Sequence, residues 1–145
     1  MINLLVPRNI EGRKEKLKQM NIRLLSQELI DGDLILDESF MDIDPKFIKF
    51  KKVNGCVRLT GGQWTEIPVW LKDVEITGYF DCSENKLTSL KNCPQKIGRN
   101  FYCSANLLTS LDGCPENIGG DFHCYDNKVK LKIPDYVKLK CKFYN

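Results

Sequence analysis

Three cysteines, Cys82, Cys103 and Cys124, stand 21 residues apart, and the same step separates Asn85, Asn106 and Asn127, and Phe80, Phe101 and Phe122. Leu87 and Leu108, Leu90 and Leu111, Cys93 and Cys114, Pro94 and Pro115, and Ile97 and Ile118 also keep it. A fixed period of this length constrains the fold more than any local propensity. It means one supersecondary unit, repeated and stacked, with no unit able to bury its apolar face alone.

Each unit reduces to an apolar residue, three spacers, a second apolar residue, one spacer, and a third apolar residue or cysteine. In that form the pattern extends to six triplets: Ile30/Leu34/Leu36, Val53/Val57/Leu59, Ile76/Phe80/Cys82, Ile97/Phe101/Cys103, Ile118/Phe122/Cys124 and Val137/Cys141/Phe143. Their starts are separated by 23, 23, 21, 21 and 19 residues. Gly32, Gly55, Gly78 and Gly120, each two residues before a middle member, mark tight turns. The alternation at 34/36, 57/59 and their equivalents predicts short strands with one buried face, stacked as a parallel sheet.

The segments FDCSENKLTSL (80–90) and FYCSANLLTSL (101–111) resemble the leucine-rich-repeat core L-x-L-x-x-N-x-L, with Phe and Cys in the first two leucine slots. The following LTSL and CP segments are similar to the short repeats of bacterial effectors and bacteriophage-encoded proteins. The match is specific over 76–127 and loose over 30–75, where Ser39 and Gly62 take the Asn slot and Trp64 a leucine slot, and over 128–145. The resemblance implies that Asn85, Asn106 and Asn127 bond backbone groups of adjacent units as a ladder. The expected architecture is an α/β solenoid, a parallel-strand leucine-rich-repeat coil of about six turns with an N-terminal helical cap. The cap covers 1–29, the repeats 30–137 and a C-terminal capping strand 138–145. RKEKLKQM within the cap is rich in helix formers, and Leu17, Met20 and Leu24 fall on one helical face.

The net charge is only +3, so no general affinity for nucleic acid is implied, but the charge is segregated along the chain. Residues 31–44 hold six acids and no base, and 128–142 hold six lysines against Asp135. A linear layout would give an acidic and a basic end. The first residues have too short an apolar run for a signal peptide, and no stretch approaches the roughly 20 apolar residues that span a bilayer. A cytoplasmic protein without a membrane partner is expected.

Seven cysteines without CxxC spacing do not form a disulfide framework in a reducing compartment. A zinc site in the column Cys82, Cys103, Cys124 and Cys141 competes with plain packing, and packing is preferred, because the repeat already explains the spacing and buried cysteine behaves as a small hydrophobe. His123, the single histidine, shares a column with Asp81 and Tyr102. No nucleophile with an obvious base, no HExxH and no phosphate-cradling GxxxxGK run accompanies it. The sequence therefore reads as a non-enzyme, with no catalytic residue, metal or cofactor assigned.

The residues between the inward positions form outward columns. The middle column is Ile35, Arg58, Asp81, Tyr102, His123 and Lys142, flanked by a leading column containing Tyr79, Asn100 and Asp121 and a trailing column containing Ser83, Ser104 and Tyr125. Exposed tyrosines among Arg, Asp and His match the make-up of protein-binding hot spots. Arg58, Tyr79, Asp81, Tyr102, Asp121, His123 and Tyr125 are the expected partner-binding residues, docking a folded protein on a concave sheet. Trp64 and Trp70 lie in the irregular second unit, one of them at least in the core. The resemblance to phage-encoded repeats implies an inhibitor that blocks a host protein, including one of a defence system. The alternative is an accessory protein that contacts nucleic acid through the basic C-terminal end, with Lys138, Lys140 and Lys142.

Overall fold

Stacking units of 21 to 23 residues brings equivalent backbone positions within one strand spacing of each other, and where the chain turns there is no room for a side chain. A Cβ at Gly55 would run into the carbonyl of Gly32, one at Gly98 into that of Thr77, and one at Gly119 into that of Gly98. Of the four glycines expected at tight turns only Gly32 has a left-handed φ, 118°. At Gly55, Gly78 and Gly120 the requirement is close approach.

The computed structural model describes residues 10–138 and 143–144. Helix α1 (Ile10–Leu25) precedes the strands β1 (Ile30–Asp31), β2 (Leu34–Leu36), β3 (Lys52–Asn54), β4 (Val57–Leu59), β5 (Glu75–Ile76), β6 (Phe80–Asp81), β7 (Lys96–Ile97), β8 (Phe101–Tyr102), β9 (Asn117–Ile118) and β10 (Phe122–His123). A short helix α2 (Asp135–Lys138) and a strand β11 (Phe143–Tyr144) follow. Single 3-10 turns occupy Glu38–Phe40, Pro45–Phe47 and Val69–Asp73.

The strands form two parallel sheets rather than the single one expected. The five-stranded sheet has the order β1-β3-β5-β7-β9 and the six-stranded sheet β11-β10-β8-β6-β4-β2. The first member of each triplet heads its own ladder, Ile30, Val53, Ile76, Ile97 and Ile118 in register. The second members, Leu34, Val57, Phe80, Phe101 and Phe122, form the other. The three spacers between them turn the chain from one sheet to the next, a repeat-like α/β arrangement. All ten residues are buried, and between the sheets they join Leu36, Leu59, Cys82, Cys103 and Cys124 in one core. Phe101 stacks between Phe80 and Phe122, with ring centroids 5.9 and 4.9 Å away.

The asparagines bond as expected. Asn106 donates to the carbonyl of Cys82 in the preceding unit at 2.9 Å, and to Cys103 and Ser104 in its own. Its Oδ1 accepts from the Leu87 amide at 3.0 Å. Asn85 makes the equivalent bonds to Leu59 and the Trp64 amide, and Asn127 to Cys103 and the Leu108 amide. Each side chain thus satisfies backbone groups in two units that have no strand partner.

At the N-terminal end Leu25 is fully buried and Asn21 nearly so, its amide donating to the Ser39 hydroxyl at 2.8 Å. The apolar face expected of this helix is only partly inward, since Leu24 packs on the core but Met20 is 40% exposed. The Leu17 side chain, residues 1–9, Lys140, Cys141 and Lys142 lie outside the described residues, as does the Lys138 side chain. The sixth triplet departs from expectation: Val137 belongs to α2, and in β11 Phe143 stands in register with Phe122 and Tyr144 with His123, so Phe143 takes the second place expected of Cys141 and Tyr144 the middle-column place expected of Lys142.

Candidate functional site

Along an extended chain an outward side chain is flanked by inward ones, the second of which lies just past the end of a two-residue strand. In β2 and β4 the pattern is buried, exposed, buried, so Ile35 and Arg58 point away from the core that Leu34, Leu36, Val57 and Leu59 fill. The register carries this outward position through Asp81, Tyr102 and His123. The face is held by side-chain contacts running across four strands.

The chain of contacts starts at Arg58, whose guanidinium hydrogen-bonds the Tyr79 hydroxyl and lies over the Tyr79 ring, 5.5 Å from its centroid. Arg58 Nε also stands 3.8 Å from the Asp81 carboxylate, which accepts the Ser83 amide at 3.0 Å. Tyr79 meets Tyr102 edge to face, 5.9 Å and 85°. Tyr102 stacks on His123 at 4.8 Å and 22°, and His123 meets Tyr125 edge to face at 6.4 Å. Asn100 donates to the Tyr102 hydroxyl at 2.7 Å and accepts the Asp121 amide at 2.9 Å, tying the leading column to the middle one.

The structure therefore places six of the seven candidate residues in one contact series, and it joins Asp121 to them through Asn100. Tyr125 is 47% exposed and the Arg58 side chain 46%, while Tyr79, Asp81, Tyr102, Asp121 and His123 are half-buried. Sequence reasoning left out Asn100, although its place between Tyr79 and Asp121 in the leading column was a usable signal. It also left out a recess of about 490 Å³ at the trailing edge, lined by Arg58, Thr60, Gly61, Asp81, Ser83 and Glu84. One outward assignment is corrected: Ser104 is only 4% exposed, and its hydroxyl has no hydrogen-bond partner among the described residues.

Trp64 is core, 3% exposed, and its indole donates to the Thr60 carbonyl; Trp70 is half-buried with its ring edge-on to Phe50. Burial pushes the Cys82, Cys93 and Cys103 thiols well above their ordinary range and Cys124 up to about 11. Such thiols are protonated, poor nucleophiles at neutral pH. Among the described residues no three His, Cys, Asp or Glu side chains are grouped as a metal site. Among them, too, no helix is long and apolar enough to cross a membrane. Set against known proteins, the chain matches no protein-family model, no curated protein and no solved structure.

Proposed function

We propose that the chain is a leucine-rich-repeat solenoid that binds a folded protein partner through the outward face of the six-stranded sheet, without catalysing a reaction. The observation that carries this reading is the series Arg58, Tyr79, Tyr102, His123 and Tyr125, in contact across four strands and partly open to solvent. Tyrosines braced by neighbours lose little side-chain entropy on binding, which is why such clusters dominate protein interfaces. Occupancy of the partner is then the activity, and the protein acts as an inhibitor that blocks the surface it covers. The inhibitor role, and a host protein as the target, follow the resemblance to phage-encoded repeats.

The test is the double variant Tyr102→Ala with His123→Ala. Each truncation at the centre of such a patch costs about 2 kcal/mol of binding, so affinity capture with the double variant should lose the partner that the wild type retains. Its thermal midpoint should stay close to that of the wild type, because neither ring lies in the core. Full retention of the partner would move the interface to another surface.

A further inference from the structure

We propose that the partner presents a cationic surface to this face, one that inserts arginine side chains among the tyrosines. The inference rests on the reading of the face as a docking surface and adds the chemistry of what docks there.

Three observations carry it. The chain has a net charge of +3, yet this face is acidic: Asp33, Asp37, Glu38, Glu84 and Asp126 are exposed along it. Arg58, the cation of the contact series, is already engaged with Asp81 and Tyr79. Lysines of the described residues also lie on the opposite side of the core. Lys52 and Lys96 project from the five-stranded sheet, where Lys51 and Lys72 line a recess with Lys96 and Glu75. On the five-stranded sheet the acid Glu75 is paired with Lys52 at 2.8 Å.

The second observation is that the face already holds one arginine. Arg58 lies over a tyrosine ring, donates to its hydroxyl and approaches a carboxylate, which is the set of contacts a guanidinium prefers and an ammonium matches less well. Tyr102, His123 and Tyr125 offer further rings in the next two strands. The third is the backbone that places the acids. Glu84, Ala105 and Asp126 occupy one turn position in successive units, with left-handed φ of 56°, 51° and 53°. The repeated turn sets Glu84 and Asp126 two units apart, about 10 Å at parallel-strand spacing, along the trailing edge of the aromatic series. Glu84 also lines the recess beside Arg58, and a Cβ on neighbouring Gly61 would meet the Glu38 carboxylate.

The experiment titrates isotope-labelled full-length protein with three synthetic peptides of equal length, alternating glycine with arginine, lysine or glutamate, and with a single-stranded oligonucleotide. The arginine peptide should shift the amides of Tyr102, His123 and Tyr125. It should bind at least about threefold more tightly than the lysine peptide and weaken about tenfold between low and 0.3 M salt. The double variant Glu84→Gln with Asp126→Asn should bind it at least about fivefold more weakly with an unchanged thermal midpoint. Equal binding by that variant overturns the inference. So does a response of the face to the glutamate peptide or the oligonucleotide but not to arginine, although docking on the face would then stand. A face that responds to raised protein concentration without any probe would be occupied by a second copy, which also overturns the inference. If every probe leaves the face unmoved and shifts another surface, the docking reading fails together with it.

Discussion

The first two units and the next three fill the same positions with different chemistry. Units starting at Ile30 and Val53 carry Leu36 and Leu59 at the third apolar position, where those starting at Ile76, Ile97 and Ile118 carry Cys82, Cys103 and Cys124. The later units close their turns with Asn85, Asn106 and Asn127. The earlier ones have Ser39 and Gly62 in that slot and bond otherwise: Asn21 of α1 reaches Ser39, and the Thr60 amide takes the Leu36 carbonyl at 2.8 Å. The second unit is also two residues longer, nine steps from Ile67 to Ile76 against seven from Leu90 to Ile97, and the excess forms the 3-10 turn Val69–Asp73. Regular units thus satisfy their backbones with their own asparagines, the second unit relies on Asn85 of the third, and the first relies on Thr60 of the second and on α1.

The largest effect expected from breaking the regular region is at Phe101. The ring is fully buried between two others, so Phe101→Ala should lower stability by about 3–5 kcal/mol, measured by urea denaturation. Tyr102→Ala, one residue on, should cost about 1 kcal/mol or less. A larger loss at Tyr102 would reverse the inward and outward assignment of the whole sheet.

Alkaline pH separates the two regions next. A buried thiol whose ionisation is held back keeps its proton in the folded state, while the unfolded chain loses it near 9.0. The unfolded state therefore binds fewer protons above pH 9, and stability, full below that pH, declines as it rises. Every buried thiol adds to this decline in the same direction. Between pH 8 and 10 the protein should lose stability as the pH rises, and Cys103→Ala should lose measurably less over the same interval. A loss independent of Cys103 would place that thiol outside the core.

At the ladder, Asn106→Ala strands the Leu87 amide and the Cys82 carbonyl and should cost about 2–3 kcal/mol. Ser39→Ala, in the corresponding slot of the first unit, should cost about 1 kcal/mol, since its hydroxyl gives up one tie to Asn21 of α1 and one to the Asp37 carboxylate, neither of them fully buried. Equal losses at the two sites would mean that the irregular unit depends on its slot as much as the regular ones do.

Much of this was legible because ladder hydrogen bonding forces equivalent residues to equal spacing, so the columns of Phe80, Phe101 and Phe122 and of the asparagines could be read from the chain. The second sheet was not legible. Its strands bury one residue each, such as Ile76 or Ile97, and four of the five are two residues long, too short to carry a detectable alternation. Val137 fitted the triplet pattern by composition, but Pro134 and Asp135 start a helix there. The acidic face emerges only once the register is fixed, because Glu38, Glu84 and Asp126 are far apart in sequence. Along the chain the charge reads as two ends; in the fold Asp33, Asp37, Glu38, Glu84 and Asp126 come to flank one aromatic series.

The smallest predicted effect concerns the residue whose environment the period misjudged. Ser83 and Ser104 occupy the same position in successive units, and Ser83 is half-buried while Ser104 is 4% exposed. Burial depends on the adjoining units, and these differ: Ser104 has Tyr125 as its neighbour on one side and Ser83 on the other. With its hydroxyl buried and unbonded, Ser104 bears a desolvation cost that alanine would remove. Ser104→Ala should therefore raise stability by up to about 1 kcal/mol, whereas Ser83→Ala should change it by less than about 0.5 kcal/mol. The pair is read by matched urea melts. A loss at Ser104 would show that its hydroxyl has a partner, such as a bound water, and that the trailing column is wetter than the side-chain packing implies.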